Sequence, residues 1–185
     1  MKRKFILLAA IAGCLIAAGA YVLNPFVTWR EEVKLNDGRV IVVEQKKLTK
    51  DEMAREAWLT INLPEFSAES IVWHEHLSPM VLNIEGGILY VVGRPPTSRE
   101  ERQYGCPAPP YVGFAWDGHK WNQIPFAKIP EKIYSANMLI DHLPPSGTRF
   151  LKLGTKNGDD LNGRGTLPPS YKRVDPTIGN RGCVQ

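Results

Sequence analysis

Apolar and polar positions alternate over Glu31 to Leu35 (EEVKL), and β-branched residues crowd Arg39 to Glu44 (RVIVVE). Between them stands Asn36-Asp37-Gly38, three residues that tolerate positive φ, so the pattern predicts a β-hairpin. Lys46 to Ala57 is polar and charged. Thr49 and Glu52 are spaced as a capping box there, which predicts a short helix, with a loop as the alternative. Strands are predicted at Trp58 to Leu63, Ile71 to His76, Met80 to Ile84 and Ile88 to Gly93, the last two joined through Glu85-Gly86-Gly87. Ser98 and Glu101 suggest a capped helical turn up to Tyr104. Tyr111 to Trp116 and Trp121 to Ile124 flank Asp117-Gly118-His119-Lys120, a third hairpin. One short element is expected around Asn137 to Ile140. From Leu153 onward Gly and Pro recur and aliphatic residues thin out, which predicts an extended wrap or a tail.

The run Phe5 to Leu23 has a different character. It holds 19 residues without a charge, preceded by Lys2, Arg3 and Lys4 and followed by Asn24-Pro25. At helical rise it spans about 28 Å, the thickness of a bilayer's hydrocarbon core. Cations ahead of it hold the N-terminus on the cytoplasmic side, so the rest of the chain is expected to be exported, with Tyr21 and Trp29 near the far interface. Three processing routes fit: an uncleaved anchor, a lipoprotein modified at Cys14 within Ile11-Ala12-Gly13-Cys14, or cleavage after Ala18-Gly19-Ala20.

These patterns predict a mainly β chain: a β-sandwich or partly open barrel of about eight strands behind an N-terminal transmembrane or signal helix. A four-bladed propeller, which needs about sixteen strands, is excluded. The predicted organisation is a signal or anchor over 1–27, an exported β-rich domain over 28–152 and a Gly/Pro-containing extension over 153–185. Trp58, Trp73, Tyr90, Phe114, Trp116 and Trp121 lie on predicted strands and are read as core.

Charge removes one class of function. The 185 residues carry 23 basic and 19 acidic side chains, but three of the basic ones precede the apolar run. The remainder is nearly balanced, so nucleic acid is not an expected partner.

Candidate chemistry is sparse. His74-Glu75-His76 would place two imidazoles on one face of a strand, the arrangement of a zinc or copper site, with further ligands to come from His119, Asp141 or His142. Cys106 and Cys183 either bridge in an oxidising compartment or remain two thiols. The loop Asn157 to Gly163 fails as a calcium site, because Leu161 and Arg164 fall where oxygen ligands are needed. Gly105-Cys106-Pro107 lacks the setting of a nucleophile, no G-x-S-x-G is present, and no catalytic residue or cofactor is assigned.

Trp29-Arg30-Glu31-Glu32-Val33, Lys34 to Val43 and the later Pro168 to Pro176 carry a likeness. On them the chain resembles uncharacterised bacterial envelope proteins with a hydrophobic N-terminus and an EEVxLxDGRVIVV opening. The resemblance implies a bacterial source and a place at the membrane. The expected function is therefore that of an inner-membrane-attached envelope protein whose periplasmic β domain binds an envelope protein partner or supports an assembly. A periplasmic metal-binding protein or metalloenzyme using His74 and His76 is the alternative.

Overall fold

A computed structural model of the chain describes residues 26–50, 53–139, 143–157, 172–179 and 183. The apolar run, Cys14, Tyr21, Asp141, His142 and most of the Asn157 to Gly163 loop lie outside them. No helix among the described residues is long and apolar enough to cross a membrane.

The chain is mainly β. Its strands are β1 (Phe26–Lys34), β2 (Val40–Lys50), β3 (Met53–Ile61), β4 (Ile71–Glu75), β5 (Ser78–Glu85), β6 (Ile88–Arg94), β7 (Val112–Trp116), β8 (Trp121–Ile124) and β9 (Phe150–Leu151). They form a five-stranded sheet of order β4-β3-β2-β1-β9 and a four-stranded sheet of order β5-β6-β7-β8. All pairings are antiparallel except β1 with β9.

Register explains which residues are inside. Val33, Val43, Leu59 and Trp73 point from the large sheet to one side, and Leu82, Leu89, Val91 and Phe114 meet them from the small sheet in a shared core. Trp73 and Phe114 touch edge to face, 5.7 Å between ring centroids. The arrangement is sandwich-like. The small sheet is buried on its other face as well. There Met80, Val81, Tyr90 and Val92 pack on Tyr111, Ile129, Ile133, Tyr134 and Val174. Burial on both faces is why Ile88 to Gly93 reads as an unbroken apolar run, whereas the large sheet, covered on one side, keeps its alternation.

The chain after β8 supplies the cover. Two 3₁₀ turns, Phe126–Lys128 and Glu131–Ile133, lie over the small sheet. Residues 172–179 of the C-terminal extension lie against them. Ser135 bridges Arg173, the Val174 amide donates to Tyr134 O at 2.8 Å, and Cys106 is disulfide-bonded to Cys183 across 77 residues of sequence.

Three local expectations need correction. Lys46 to Ala57 is not a capped helix. β2 runs on to Lys50 and β3 starts at Met53, with a bulge between Leu48 and Thr49. Its polar composition hid the strand, because this half of the inner face is itself polar. The helix Ser98–Gln103 is capped by Thr97, whose hydroxyl accepts from the Arg99 amide and donates to Glu100, so the capping pair lies one residue earlier than predicted. Trp58 is not core; it stands on the outer face of the large sheet beside Lys46 and His74.

Gly113 on β7 marks a close approach. A Cβ there would sit 2.6 Å from Cγ1 and 2.7 Å from Cδ1 of the buried Ile129. Gly113→Ala is expected to destabilise the fold by about 1–3 kcal/mol through overpacking, read as a lowered denaturation midpoint.

Candidate functional site

Odd-numbered residues of β1 face inward, and the register carries this face across the sheet. It is apolar at the Val33 end and polar at the other. Glu31 pairs Val43, Trp29 pairs Gln45, and Val27 pairs Lys47. Glu31, Gln45 and Lys47 are all fully buried. Beside them Leu139 and Leu151 pack on Trp29.

Glu31 is the centre of this network. Its carboxylate accepts from the Leu139 amide at 3.1 Å and from the Gln45 side chain. It lies 3.3 Å from the Lys156 ammonium, with both side chains at 0% exposure. Lys156 also donates to Asn137 O at 2.6 Å and to Glu32 O. Burial pulls the Lys156 pKa below the ordinary lysine value, against the pull of Glu31 in the other direction. The Lys47 ammonium stands 5.5 Å from the Trp29 ring. Asn137 links the same region to both sheets, donating to Lys34 O and Leu82 O and accepting from the Leu82 amide. Sequence reasoning missed these residues. The signal was present: Glu31 sits at even spacing between Trp29 and Val33, on the buried side of a strand.

At the same end, Arg55 meets Glu100 at 3.2 Å, and Tyr104 donates to Glu75 at 2.7 Å. Burial, and then the hydrogen bond to Glu75, raise the Tyr104 pKa.

The outer face of the large sheet is open. Of the large apolar side chains exposed among the described residues, Phe26, Val40, Val42, Val72 and Phe150 stand here, and only Ile88 stands elsewhere. At the corner where β1 begins, Phe26 meets Trp58 edge to face at 5.8 Å. The Lys46 ammonium lies 4.2 Å from the Phe26 ring centroid and 5.0 Å from that of Trp58. His74 stacks on Trp58 at 4.2 Å.

The predicted metal residues are thereby placed. The His74 Nε2 is 2.6 Å from Glu56 Oε1. β4 stops at Glu75, so His76 leaves the strand, and its Nδ1 lies 3.3 Å from Arg55 O. His119 is on the exposed β7–β8 turn. No group of three His, Cys, Asp or Glu side chains able to hold a metal stands together among the described residues. Cys106 is held in the disulfide.

At the opposite end of the strands an open groove of about 520 Å³ is lined by Glu65, Phe66, Ile88, Trp116, Asp117 and Asn122. Asp117 is fixed by amide donors from His119 and Lys120, each at 2.9 Å, and by Asn122 at 2.7 Å. These bonds hold its pKa down at about 2. No family model, no curated protein and no solved structure matches the chain.

Two outcomes follow from these environments. Lys156→Met leaves the Glu31 carboxylate buried without its cation and is expected to cost about 3–5 kcal/mol. Adding Glu31→Gln is expected to recover a substantial part of that loss, so a double-mutant cycle in denaturant gives a non-additive coupling. At Asp117 the folded carboxyl is more acidic than its unfolded value of 3.8. Its contribution is therefore complete above pH 3.8 and is lost as the pH falls towards about 2. Asp117→Asn is expected to flatten that part of the acid-denaturation profile and leave the neutral region alone.

Proposed function

We propose that the chain is a bacterial envelope protein, attached to the inner membrane through its N-terminal segment, whose β domain is a periplasmic binding module. In this reading the domain is a β-sandwich carried on an N-terminal transmembrane or signal helix. The observation that carries the binding role is the open face of the large sheet. Val40, Val42 and Val72 are each more than 40% exposed there, among charges of both signs from Arg30, Glu32, Lys34 and Glu44 on the same face. A field of apolar side chains interleaved with charge suits a protein partner. The sequence supports the attachment, through three cations and then 19 uncharged residues. The disulfide is of the kind that persists in an oxidising compartment.

The chain is expected in the membrane fraction, and its intact mass tests the attachment. A mass that retains residues 1–13, or one that starts at Cys14 with acyl groups, supports it. Recovery as an unprocessed protein in the cytosolic fraction overturns it. A photo-crosslinking amino acid placed at Val42 or Val72 in cells is expected to yield one discrete adduct with an envelope protein. The same residue at Gln123, exposed on β8, is expected to yield none. Equal, diffuse crosslinking from all three positions would overturn the binding face.

A further inference from the structure

The corner built from Phe26, Lys46 and Trp58 is chemically unlike the valine field beside it. Two aromatic rings meet edge to face, and an ammonium lies against both. Leu48, half-buried, is the direct register partner of Phe26. Aromatic rings with a lysine whose stem runs over apolar surface while its head stays in water is the chemistry favoured where hydrocarbon meets headgroup.

Its position in the chain is equally informative. Phe26 is the first residue of β1. The apolar run ends at Leu23, before Asn24-Pro25, so three residue steps separate the two. Even fully extended, they reach only about 10 Å. A chain that leaves the bilayer at Leu23 must therefore place this corner within a headgroup layer's distance of the hydrocarbon. Trp29, expected at the interface together with Tyr21, is 1% exposed and packs inward on Leu139 and Leu151. The even-numbered positions of β1 face outward instead, starting with Phe26.

We propose that the Phe26–Lys46–Trp58 corner rests in the headgroup region of the phospholipid bilayer that carries the chain, with the two rings at the acyl boundary and Lys46 among the phosphates. This rests on the membrane attachment proposed above. It also orients the domain: the corner faces the membrane, and the Trp116–Asp117 groove at the other end of the strands faces away.

Tryptophan quenching tests it on the full chain. The chain is reconstituted in vesicles of phosphatidylcholine and phosphatidylglycerol, with and without bromine on the acyl chains near the headgroup. Of the five tryptophans, Trp29 and Trp73 are buried, and Trp116 and Trp121 flank the β7–β8 turn towards the other end. Brominated lipid is expected to lower the emission of the unmodified chain, and Trp58→Phe is expected to abolish that loss. If Trp58→Phe fails to fold by circular dichroism, Lys46→Glu serves in its place and is expected to reduce the quenching by repulsion from the anionic lipid. A chain that floats with the vesicles but is not quenched, or is quenched equally with either variant, overturns the placement of the corner while leaving the attachment standing. A chain that does not float with the vesicles overturns the attachment, and this proposal with it.

Discussion

The carboxylate of Glu31 is a charge taken out of water on the inside of a sheet, and the arrangement of the domain follows from satisfying it. Such a group is tolerated only with a counter-charge and hydrogen-bond donors in good geometry. Here these come from three separate places: Gln45 on the neighbouring strand, the Leu139 amide, and Lys156 in the short helix Leu153–Asn157 that follows β9. The last two belong to the part of the chain that packs on Trp29, on the inner face of the large sheet. Glu31 thus fixes where that segment runs. Asn137 fixes its height, because its amide is shared between the Lys34 carbonyl and the Leu82 backbone.

A division of labour between the two sheets results. The small sheet is buried on both sides and is an interior element. The large sheet is the one that meets the surroundings, and its two faces differ sharply. Inside, it grades from an apolar core to a charged one. Outside, it presents valines, an aromatic corner and balanced charge. The edges of this architecture are partly closed: β9 pairs beside β1, and the Trp121 ring donates to Val72 O on β4. The free strand edges among the described residues are thereby partly blunted.

Much of this is legible in the sequence, for physical reasons that can be named. Turns built on Asn36-Asp37-Gly38, Glu85-Gly86-Gly87 and Asp117-Gly118 report their own conformation, because positive φ selects those residues; Gly38, Gly86, Gly87 and Gly118 all adopt it. Strands such as Ile71–Glu75 and Ile88–Arg94 follow from β-branched and aromatic composition. The β2–β3 hairpin does not, because Gln45 and Lys47 are polar residues on the buried inner face, and local pattern carries no information about what covers them. The same holds for Trp58. An aromatic residue on a strand is usually inside, and only the register of β2, β3 and β4 shows that this one shares a face with Lys46 and His74. Strand alternation pairs the two histidines in the sequence, but β4 ends one residue too early for His76.

The distance along the chain between Glu32 and its partners has a consequence for biogenesis. Its carboxylate receives the Leu153 amide from 121 residues later, and β9 aligns beside β1 only when that stretch has been made. Chains emerge from the N-terminus at about 5–20 residues per second. β1 to β3 can pair early, but for several seconds they do so with Glu31, Gln45 and Lys47 still hydrated and one strand edge open. The polar half of the inner face is suited to this wait: until its cover arrives it presents hydrophilic groups rather than an adhesive hydrocarbon surface. The charge that is awkward to bury in the finished domain acts as a solubiliser in the unfinished one.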